Sequence, residues 1–303
     1  MNINAIALGK LGGAVISASK SKAAKSNGVL GGRPIQSVTF NEDGISISGC
    51  SYVYAPKGQA GEYSALACNP YRGCGHRCKY CYVPNVIRMK REVFDSTAQV
   101  RKGFKAGLAR DCKKYLYAGV REQVMMSFTT DPYHPFDTAM TTHTIESLHA
   151  AGLGVCCLTK GGLRSFQDID LLNPKTDAFA TTLISMDDSF SSKWEPGASS
   201  ATDRVASLKA HHHKGIFTWV SLEPTISAEE SIRVIRETHE FVDLYKVGKA
   251  NYIALAKTID WEDYTHRVIK LMAELNQKHY IKKDLQCYLP KNYYNPLRIK
   301  QHF

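Results

Sequence analysis

The feature that most constrains this chain is a repeated alternation of short apolar runs with longer amphipathic segments. The apolar runs lie at 65–68, 124–128, 154–158, 178–184, 217–222, 242–247 and 285–289. Segments with helical periodicity separate them, at 96–116, 142–151, 162–172, 200–213, 228–239 and 261–278. Strands that alternate with helices pair in parallel through right-handed crossovers. Since no glycine-rich dinucleotide-binding motif follows any run, the pattern predicts an α/β fold, a partial (β/α)6 TIM-like barrel, rather than an open sheet.

The sequence divides into four predicted parts. Residues 1–33 are rich in Ser, Gly, Ala and Lys and contain no aromatic residue, so we expect a flexible basic arm. Alternating hydrophobicity predicts a small β extension at 34–64, ahead of a barrel at 65–290. Residues 291–303 form a basic and aromatic C-terminal tail.

The number of cysteines and the lengths of the apolar segments indicate the cellular compartment in which we expect the protein. No apolar run approaches the ~20 residues that span a bilayer, and no basic-then-apolar leader opens the chain. We therefore expect a cytoplasmic protein without a membrane partner. The nine cysteines are an odd number, and the cytosol keeps thiols reduced, so their clustering indicates a metal site rather than disulfides.

The net charge of +11 favours a polyanionic partner. The basic excess is strongest at 70–121, where thirteen Lys/Arg accompany three acidic residues. From Lys282 onwards, lysines and arginines are interleaved with tyrosines. This pattern is typical of a platform for single-stranded nucleic acid or a flipped base. It is equally consistent with a last strand and coil that close the barrel mouth.

Three cysteines, Cys74, Cys78 and Cys81, follow the first predicted barrel strand within one short segment. Barrel active sites are built from the loops at the carboxyl ends of the strands. A zinc site needs a fourth ligand, usually from a second cysteine pair, and no second pair with this spacing exists; His76 would strain the loop if it ligated. Three thiolates on one loop can instead hold three irons of a [4Fe-4S] cluster and leave the fourth iron open.

The spacing C-x3-C-x2-C, with Tyr80 before the last cysteine, resembles the signature of the radical S-adenosylmethionine (radical SAM) superfamily. The resemblance implies that the open iron binds S-adenosyl-L-methionine and that one electron cleaves this cofactor to a 5′-deoxyadenosyl radical. It also implies an electron donor such as a flavodoxin or ferredoxin. Cluster and cofactor would supply the difficult chemistry, and the protein would position and shield them.

A narrower resemblance, to spore photoproduct lyase and DNA-repair photolyase-like proteins, covers roughly residues 65–250. It rests on four stretches at predicted strand ends: 69–82, 129–131, 159–160 and 194–200. The resemblance implies that Tyr80 packs by the adenine and that Thr130 and Ser185 hydrogen-bond the cofactor. It further implies that Lys160 pairs with the cofactor carboxylate and that Tyr82 faces the radical path.

One position departs from the lyase pattern. The lyase has a hydrogen-donating cysteine two residues before the position of Thr130, and Phe128 stands there in this chain. A phenyl ring cannot return a hydrogen atom, so Cys156, Cys157 or a tyrosine would have to replace the donor. Cys156 and Cys157 alternate along one strand, so we expect one to face the barrel interior and the other the helices.

These observations predict a radical SAM enzyme that acts on a nucleic acid base, with a DNA-repair or lyase outcome implied by the resemblance alone. One alternative is radical modification of a peptide or a small molecule. Another is a non-catalytic iron–sulfur or zinc protein that binds nucleic acid.

Overall fold

A computed structural model describes residues 38–41, 44–251 and 253–293 of the chain. The predicted arm at 1–33 and most of the predicted tail at 291–303 lie outside these residues. The described strands, in chain order, are β1 (Val38–Asn41), β2 (Gly44–Ile47), β3 (Val53–Tyr54), β4 (Leu66–Cys68), β5 (Tyr71–Arg72), β6 (Gln99–Val100), β7 (Gln123–Met126), β8 (Gly154–Thr159), β9 (Ala178–Thr182), β10 (Phe217–Leu222), β11 (Leu244–Val247) and β12 (His279–Ile281).

The main sheet confirms the predicted fold class. Its strand order is β12-β11-β10-β9-β8-β7-β4-β3, and every pair from β4 to β12 is parallel. Only β3 is antiparallel to its neighbour. The two ends of this order are not paired with each other in the described part of the chain, so the sheet is a partial barrel. Two small sheets, β1-β2 and β5-β6, accompany it.

Helices connect the parallel strands, as the alternation of the sequence predicts. Ser200 caps the helix that follows it, because its Oγ accepts from the amide of Asp203 at 3.0 Å. None of the described helices is both long and apolar enough to cross a membrane. They are α1 (Val83–Val86), α2 (Arg91–Ser96), α3 (Phe104–Tyr117), α4 (Ala139–Ala150), α5 (Asp188–Trp194), α6 (Ala201–His213), α7 (Ala228–Thr238) and α8 (Trp261–Glu274).

Two sequence predictions are wrong in detail. The last strand is not 285–289 but β12, which pairs with β11 in parallel through Tyr245 and His279. The three-residue strand contains a histidine and a tyrosine, so it lacks the apolar run that marks the other strands, and residues 286–288 form a 3-10 turn. The predicted helix at 162–172 is a 3-10 segment, Gly162–Asp168, which begins at a glycine with a positive φ of 54°.

A short segment before β4 closes the open side of the partial barrel. The 3-10 turn Gly58–Glu62 ends in a buried carboxylate, Glu62. This carboxylate accepts hydrogen bonds from the hydroxyl of Tyr280 at 3.1 Å and from the amide of Lys283 at 2.8 Å. The segment thereby joins the start of the barrel to the end of its last strand.

Candidate active site

One cavity collects side chains from the carboxyl ends of the barrel strands. Its lining includes the three cysteines of the predicted motif, Lys160 after β8, Thr182 in β9 and Glu223 after β10. Catalytic sites of α/β barrels occupy this face, so the cavity is the candidate active site.

The cysteine loop runs between β5 and α1. Cys74 and Cys78 are buried and Cys81 is partly exposed, and all three line the cavity. Arg91 holds the loop from behind, since its guanidinium donates to the carbonyls of Cys78 at 2.5 Å and Cys81 at 3.2 Å. Asp95 accepts from the same guanidinium at 2.7 Å. These bonds fix the backbone of the loop at Cys78 and Cys81.

The three thiols fit a cluster better than a single ion. In the described residues, no three His, Cys, Asp or Glu side chains converge so as to hold one metal ion. Each iron of a [4Fe-4S] cluster takes its own thiolate, so three cysteines that line one cavity without converging on a single ion site suit it. Burial raises the pKa of the Cys78 thiol to about 12 and also raises that of Cys74, so binding iron has to displace protons from these thiols.

A second loop packs directly against the cysteine loop. The amide of Lys79 donates to the carbonyl of Trp194 at 2.8 Å, and the amide of Gly197 donates to the carbonyl of His76 at 2.9 Å. A Cβ at Gly197 would lie 2.0 Å from the carbonyl oxygen of Gly75. Only glycine allows this approach. The stretch 194–200, one of the four stretches that carry the sequence resemblance, therefore supports the cysteine loop.

His76, inside the cysteine loop, is held between two side chains of the barrel. Its Nε2 lies 2.9 Å from Nη2 of Arg164, and its Nδ1 lies 3.3 Å from Oδ2 of Asp131. An arginine only donates, so Nε2 accepts and Nδ1 carries the proton. Burial lowers the pKa of His76, which agrees with a neutral ring. His76 thus fixes the loop and does not act as a metal ligand.

Asp131 gathers donors from two neighbouring strand ends. Its carboxylate accepts from the hydroxyl of Thr159 at 2.5 Å and from the amides of Lys160 at 2.8 Å and Tyr133 at 2.8 Å. Burial alone would raise the pKa of Asp131, but these hydrogen bonds and that of His76 hold it below its usual range. The carboxylate is therefore a fixed anion beneath the cavity.

Tyr80, Glu195 and Arg204 form a second buried group beside the loop. Glu195 accepts from the hydroxyl of Tyr80 through one oxygen and from Nη1 of Arg204 at 2.5 Å through the other. Arg204 also donates to the carbonyls of Thr182 and Ser199, each at 3.0 Å. This group sets the orientation of Tyr80 at the cavity. Arg204 carried no signal in the sequence, where it is one of many basic residues on predicted helices.

Lys160 places a cation against the cavity. Its Nζ lies 5.8 Å from the centre of the Tyr80 ring. Burial alone would lower its pKa, but attraction to Cys78, once that thiol is ionised, and to the carboxylates of Glu195 and Asp131 outweighs burial and raises it. A protonated lysine at this place can bind a carboxylate.

Of the other predicted cofactor residues, one lines the cavity and one does not. Thr130 lines it, and its hydroxyl donates to the carbonyl of Gly73 at 2.6 Å. Ser185 is buried, is not among the lining residues, and bonds Glu230 at 2.5 Å. Ser127, which sequence reasoning missed, lines the cavity with a buried hydroxyl that has no partner in the described residues. An orphaned hydroxyl of this kind suits a polar ligand in the cavity.

The predicted catalytic residues separate into two groups. Tyr82 lies at the cavity and is 52% exposed. Cys156 packs in the barrel interior, where Trp219 donates to its Sγ at 3.2 Å. Cys157 points to the other side of the strand and contacts the hydroxyl of Tyr133 at 3.8 Å. The expected alternation is confirmed, but the structure brings neither thiol to the cavity lining.

The cavity has a further polar wall, defined here as Tyr63, Ser221, Glu223 and Lys282, which the sequence did not bring together. Glu223 accepts from the hydroxyl of Tyr63 and from Nζ of Lys282, and Ser221 lies 3.1 Å from the same tyrosine oxygen. Burial, with the adjacent Glu223 carboxylate, raises the pKa of Tyr63 well above its usual value. Lys282 is buried in an ion pair, so it is not a surface contact for phosphate as the tail pattern suggested.

No family model matches the chain. Uncharacterized proteins of Mycobacterium bovis and Mycobacterium tuberculosis are 27% identical to it over 172 residues, which is 52% of this chain and 48% of theirs. The chain therefore spans about half the length of the curated relatives it matches.

Solved structures show the fold. SuiB of Streptococcus suis, in a crystal structure with bound S-adenosylmethionine, matches with a TM-score of 0.57 and 12% identity, over 75% of this chain and 52% of SuiB. SuiB bound to the precursor peptide SuiA matches with a TM-score of 0.54 and 14% identity, over 71% and 48%. This likeness supports the fold alone, a mostly parallel α/β partial barrel.

Proposed function

We propose that this chain is a radical SAM enzyme in which Cys74, Cys78 and Cys81 ligate a [4Fe-4S] cluster. The observation that carries the proposal is that one short loop presents three thiols to a cavity at the carboxyl ends of the strands. When bound, the cluster and S-adenosylmethionine supply reductive cleavage of the cofactor and a radical that abstracts hydrogen from the substrate. The donor set is soft and incomplete by one ligand, as such a cluster requires.

The chain's own residues bind and shield in this scheme. Lys160 pairs with the cofactor carboxylate as a point charge, and Tyr80, fixed by Glu195, packs against the cofactor's adenine. Thr130 and Ser127 offer hydroxyl groups along the same lining. The buried ion pair of Glu195 and Arg204 holds Tyr80 in its orientation at the cavity. Ser185 would reach the cofactor only by leaving Glu230.

We propose a nucleic acid base as the substrate. Arg72, Arg77 and Lys79 are exposed on or next to the cysteine loop, where they can contact phosphates. Phe128 and Tyr82 line the cavity as aromatic surfaces. In the described residues, the three proposed ligands are the only cysteines along this lining. The proposal therefore does not include a lyase route that returns hydrogen from a cavity thiol.

Anaerobic reconstitution tests the cluster and its chemistry together. The full chain should bind iron and sulfide and, after reduction with dithionite, convert S-adenosylmethionine to 5′-deoxyadenosine. Replacing Cys74, Cys78 and Cys81 together with alanine should abolish both. Cys287→Ala is the matched control, because Cys287 is exposed and lies away from the loop. A protein that binds zinc in place of iron, or a triple variant that still yields 5′-deoxyadenosine, would refute the proposal.

Salt titration tests the polyanionic partner. Binding of single-stranded DNA through lysines and arginines should weaken steeply as salt rises, because counterions are released. Arg77→Gln combined with Lys79→Gln should flatten the slope of log affinity against log salt by about one to two. Arg233→Gln, on the exposed face of α7, should not change it. An unaltered slope in the double variant would exclude this surface as a phosphate contact.

A peptide is the second candidate substrate, since the chain matches the structure of SuiB bound to its precursor peptide. Deuterium transfer separates the two candidates. Label moving into 5′-deoxyadenosine from a deuterated oligonucleotide favours the base, whereas label moving from a deuterated peptide favours the alternative.

A further inference from the structure

The polar wall (Tyr63, Ser221, Glu223 and Lys282) is a hydrogen-bonding surface that the cysteine loop does not use. It is built from the ends of β10 and β12 and from the segment that closes the barrel. The side chain of Glu223 is 18% exposed and that of Lys282 is 2% exposed. The ion pair of Glu223 and Lys282 is therefore largely enclosed by protein, and its exposed part is mainly the Glu223 carboxylate.

Glu223 keeps one oxygen for a ligand. Its Oε2 accepts from both Tyr63 and Lys282. Its Oε1 accepts no hydrogen bond from the described part of the chain, and Glu223 lines the cavity. A carboxylate offers about four lone-pair positions, so Oε1 is an acceptor available to whatever occupies the cavity.

Lys282 supplies a donor next to that acceptor. Its ammonium has three N–H donors. One bonds to Glu223, and the ring of Tyr63 lies 4.5 Å away as a second partner. The third donor has no acceptor among the described residues. A carboxylate acceptor and an ammonium donor thus stand side by side, positioned by the same tyrosine.

A ligand complementary to this pair carries an N–H next to a carbonyl. We propose that the polar wall binds the lactam edge of a nucleobase, such as thymine, uracil or guanine. The ring N–H donates to Oε1 of Glu223, and the adjacent carbonyl accepts from Nζ of Lys282. Adenine and cytosine differ in placing the donor on an exocyclic amino group and the acceptor on a ring nitrogen. The inference rests on the proposed function, since it defines the class of base that the cavity takes.

Two features favour a base over a peptide amide, which has the same pair of groups. Phe128 and Tyr82 line the cavity with aromatic surfaces on which a planar base can stack. The basic residues around the cysteine loop suit the phosphates on either side of an extruded base. A peptide uses neither feature.

Methylation of the target nitrogen gives a test that needs no variant. Fluorescence anisotropy is measured for the reconstituted full chain with nine-nucleotide DNA in which every position except the centre is abasic. The centre is thymine or N3-methylthymine, so the backbone charge is the same in both. We expect thymine to bind at least tenfold more tightly, because the methyl group removes the N–H and leaves Glu223 facing a methyl. Equal affinity, or tighter binding of the methylated strand, overturns the inference.

Glu223→Gln tests the residue assignment. The amide weakens the acceptor and the pairing with Lys282, so the preference for thymine over N3-methylthymine should fall to less than threefold. Glu229→Gln is the matched control, since Glu229 is exposed on α7 and pairs with Arg267, and it should keep the full preference. A preserved preference in Glu223→Gln overturns the assignment. If circular dichroism shows that this variant is unfolded, the wild-type ratio decides alone.

Measurements on the same reconstituted protein also distinguish the proposed function from the proposed binding of a base by the polar wall. Iron content and 5′-deoxyadenosine yield report on the proposed function, and the ratio of the two DNA affinities reports on the polar wall. If the chain binds no cluster but still distinguishes the two DNA strands, only the proposed function is refuted. If the chain yields 5′-deoxyadenosine but binds the two DNA strands equally, only the inference about the polar wall is overturned. Displacement of the thymine strand by a capped peptide more readily than by thymidine would assign the wall to a peptide amide and overturn the inference.

Discussion

His76 Nδ1 lies 3.3 Å from Asp131 Oδ2, and this contact joins the cysteine loop to the segment that follows β7. The partner of the other ring nitrogen, Arg164, is a donor at 2.9 Å, so the histidine is neutral and has one possible tautomer. The loop that presents the three thiols is therefore held by the barrel itself and not by its own few residues.

Asp131→Asn should weaken this attachment. The amide keeps one acceptor oxygen where the carboxylate serves four donors, so we expect a loss of about 1.5–3 kcal/mol in the free energy of unfolding. Iron retained after desalting should also fall, because the loop becomes mobile. Urea denaturation and iron assay measure the two effects. Asp170→Asn, whose carboxylate is 84% exposed, should change neither, and an unaltered iron content in Asp131→Asn would contradict the attachment.

Arg204→Met should be among the most damaging single changes outside the cysteines. It leaves Glu195 buried without its cation, and breaking a buried pair from one side costs about 3–5 kcal/mol. The double variant Arg204→Met with Glu195→Gln should recover part of this loss, because it removes the unpaired charge. Urea denaturation of the single and double variants measures the coupling. Strictly additive effects would show that the two side chains do not act as a pair.

Low pH should destabilise the chain through His211. This ring stacks on Phe179 at 3.6 Å and its Nδ1 bonds to the carbonyl of Ser207 at 2.8 Å. Burial lowers its pKa to about 4, below the value of about 6.5 in an unfolded chain. The unfolded state therefore binds more protons between these values, and stability falls as pH falls, by about 2 kcal/mol from pH 7 to 5.

His211→Phe should reduce this pH dependence, as measured by urea denaturation at pH 7 and pH 5. His213→Gln is the control, since His213 is exposed in the same histidine run. If the free energy of unfolding changes between pH 7 and pH 5 by the same amount in His211→Phe as in the wild type, the buried ring is not the source of the pH dependence.

Gly197→Ala should separate the cysteine loop from the loop at 194–200 while leaving the barrel intact. The added Cβ would meet the Gly75 carbonyl oxygen at 2.0 Å, so the cysteine loop has to move. We expect loss of bound iron with an unchanged far-ultraviolet circular dichroism spectrum. Gly119→Ala provides the comparison: its Cβ meets nothing within 4 Å, and its positive φ of 69° costs only about 1 kcal/mol. Full iron content in Gly197→Ala would refute the close approach.

Local patterns allowed much of the fold and part of the site to be predicted. The alternation of apolar runs with amphipathic segments located six of the seven parallel strands that the structure describes, because each strand is buried on both faces. Cys74, Cys78 and Cys81 lie within eight residues of one loop, so their proximity followed from spacing alone. Lys160 and Thr130 were assigned through the family resemblance of the stretches 129–131 and 159–160.

The rest of the site depends on contacts between distant parts of the chain. Tyr63 and Glu223 are 160 residues apart, and neither carries a motif. Lys282 looked like one basic residue of a solvated tail until the structure placed it against Glu223. Cys156 and Cys157 occupy a strand next to the cavity, but both are enclosed by packing, which no pattern of spacing reveals.

The contact between Glu62 and Lys283 spans 221 residues and fixes the order in which the molecule can be completed. During synthesis the cysteine motif emerges early, whereas Lys282, which completes the polar wall, follows only after β12. Under the proposed function, a nascent chain can therefore bind iron before the wall that would receive a base is complete.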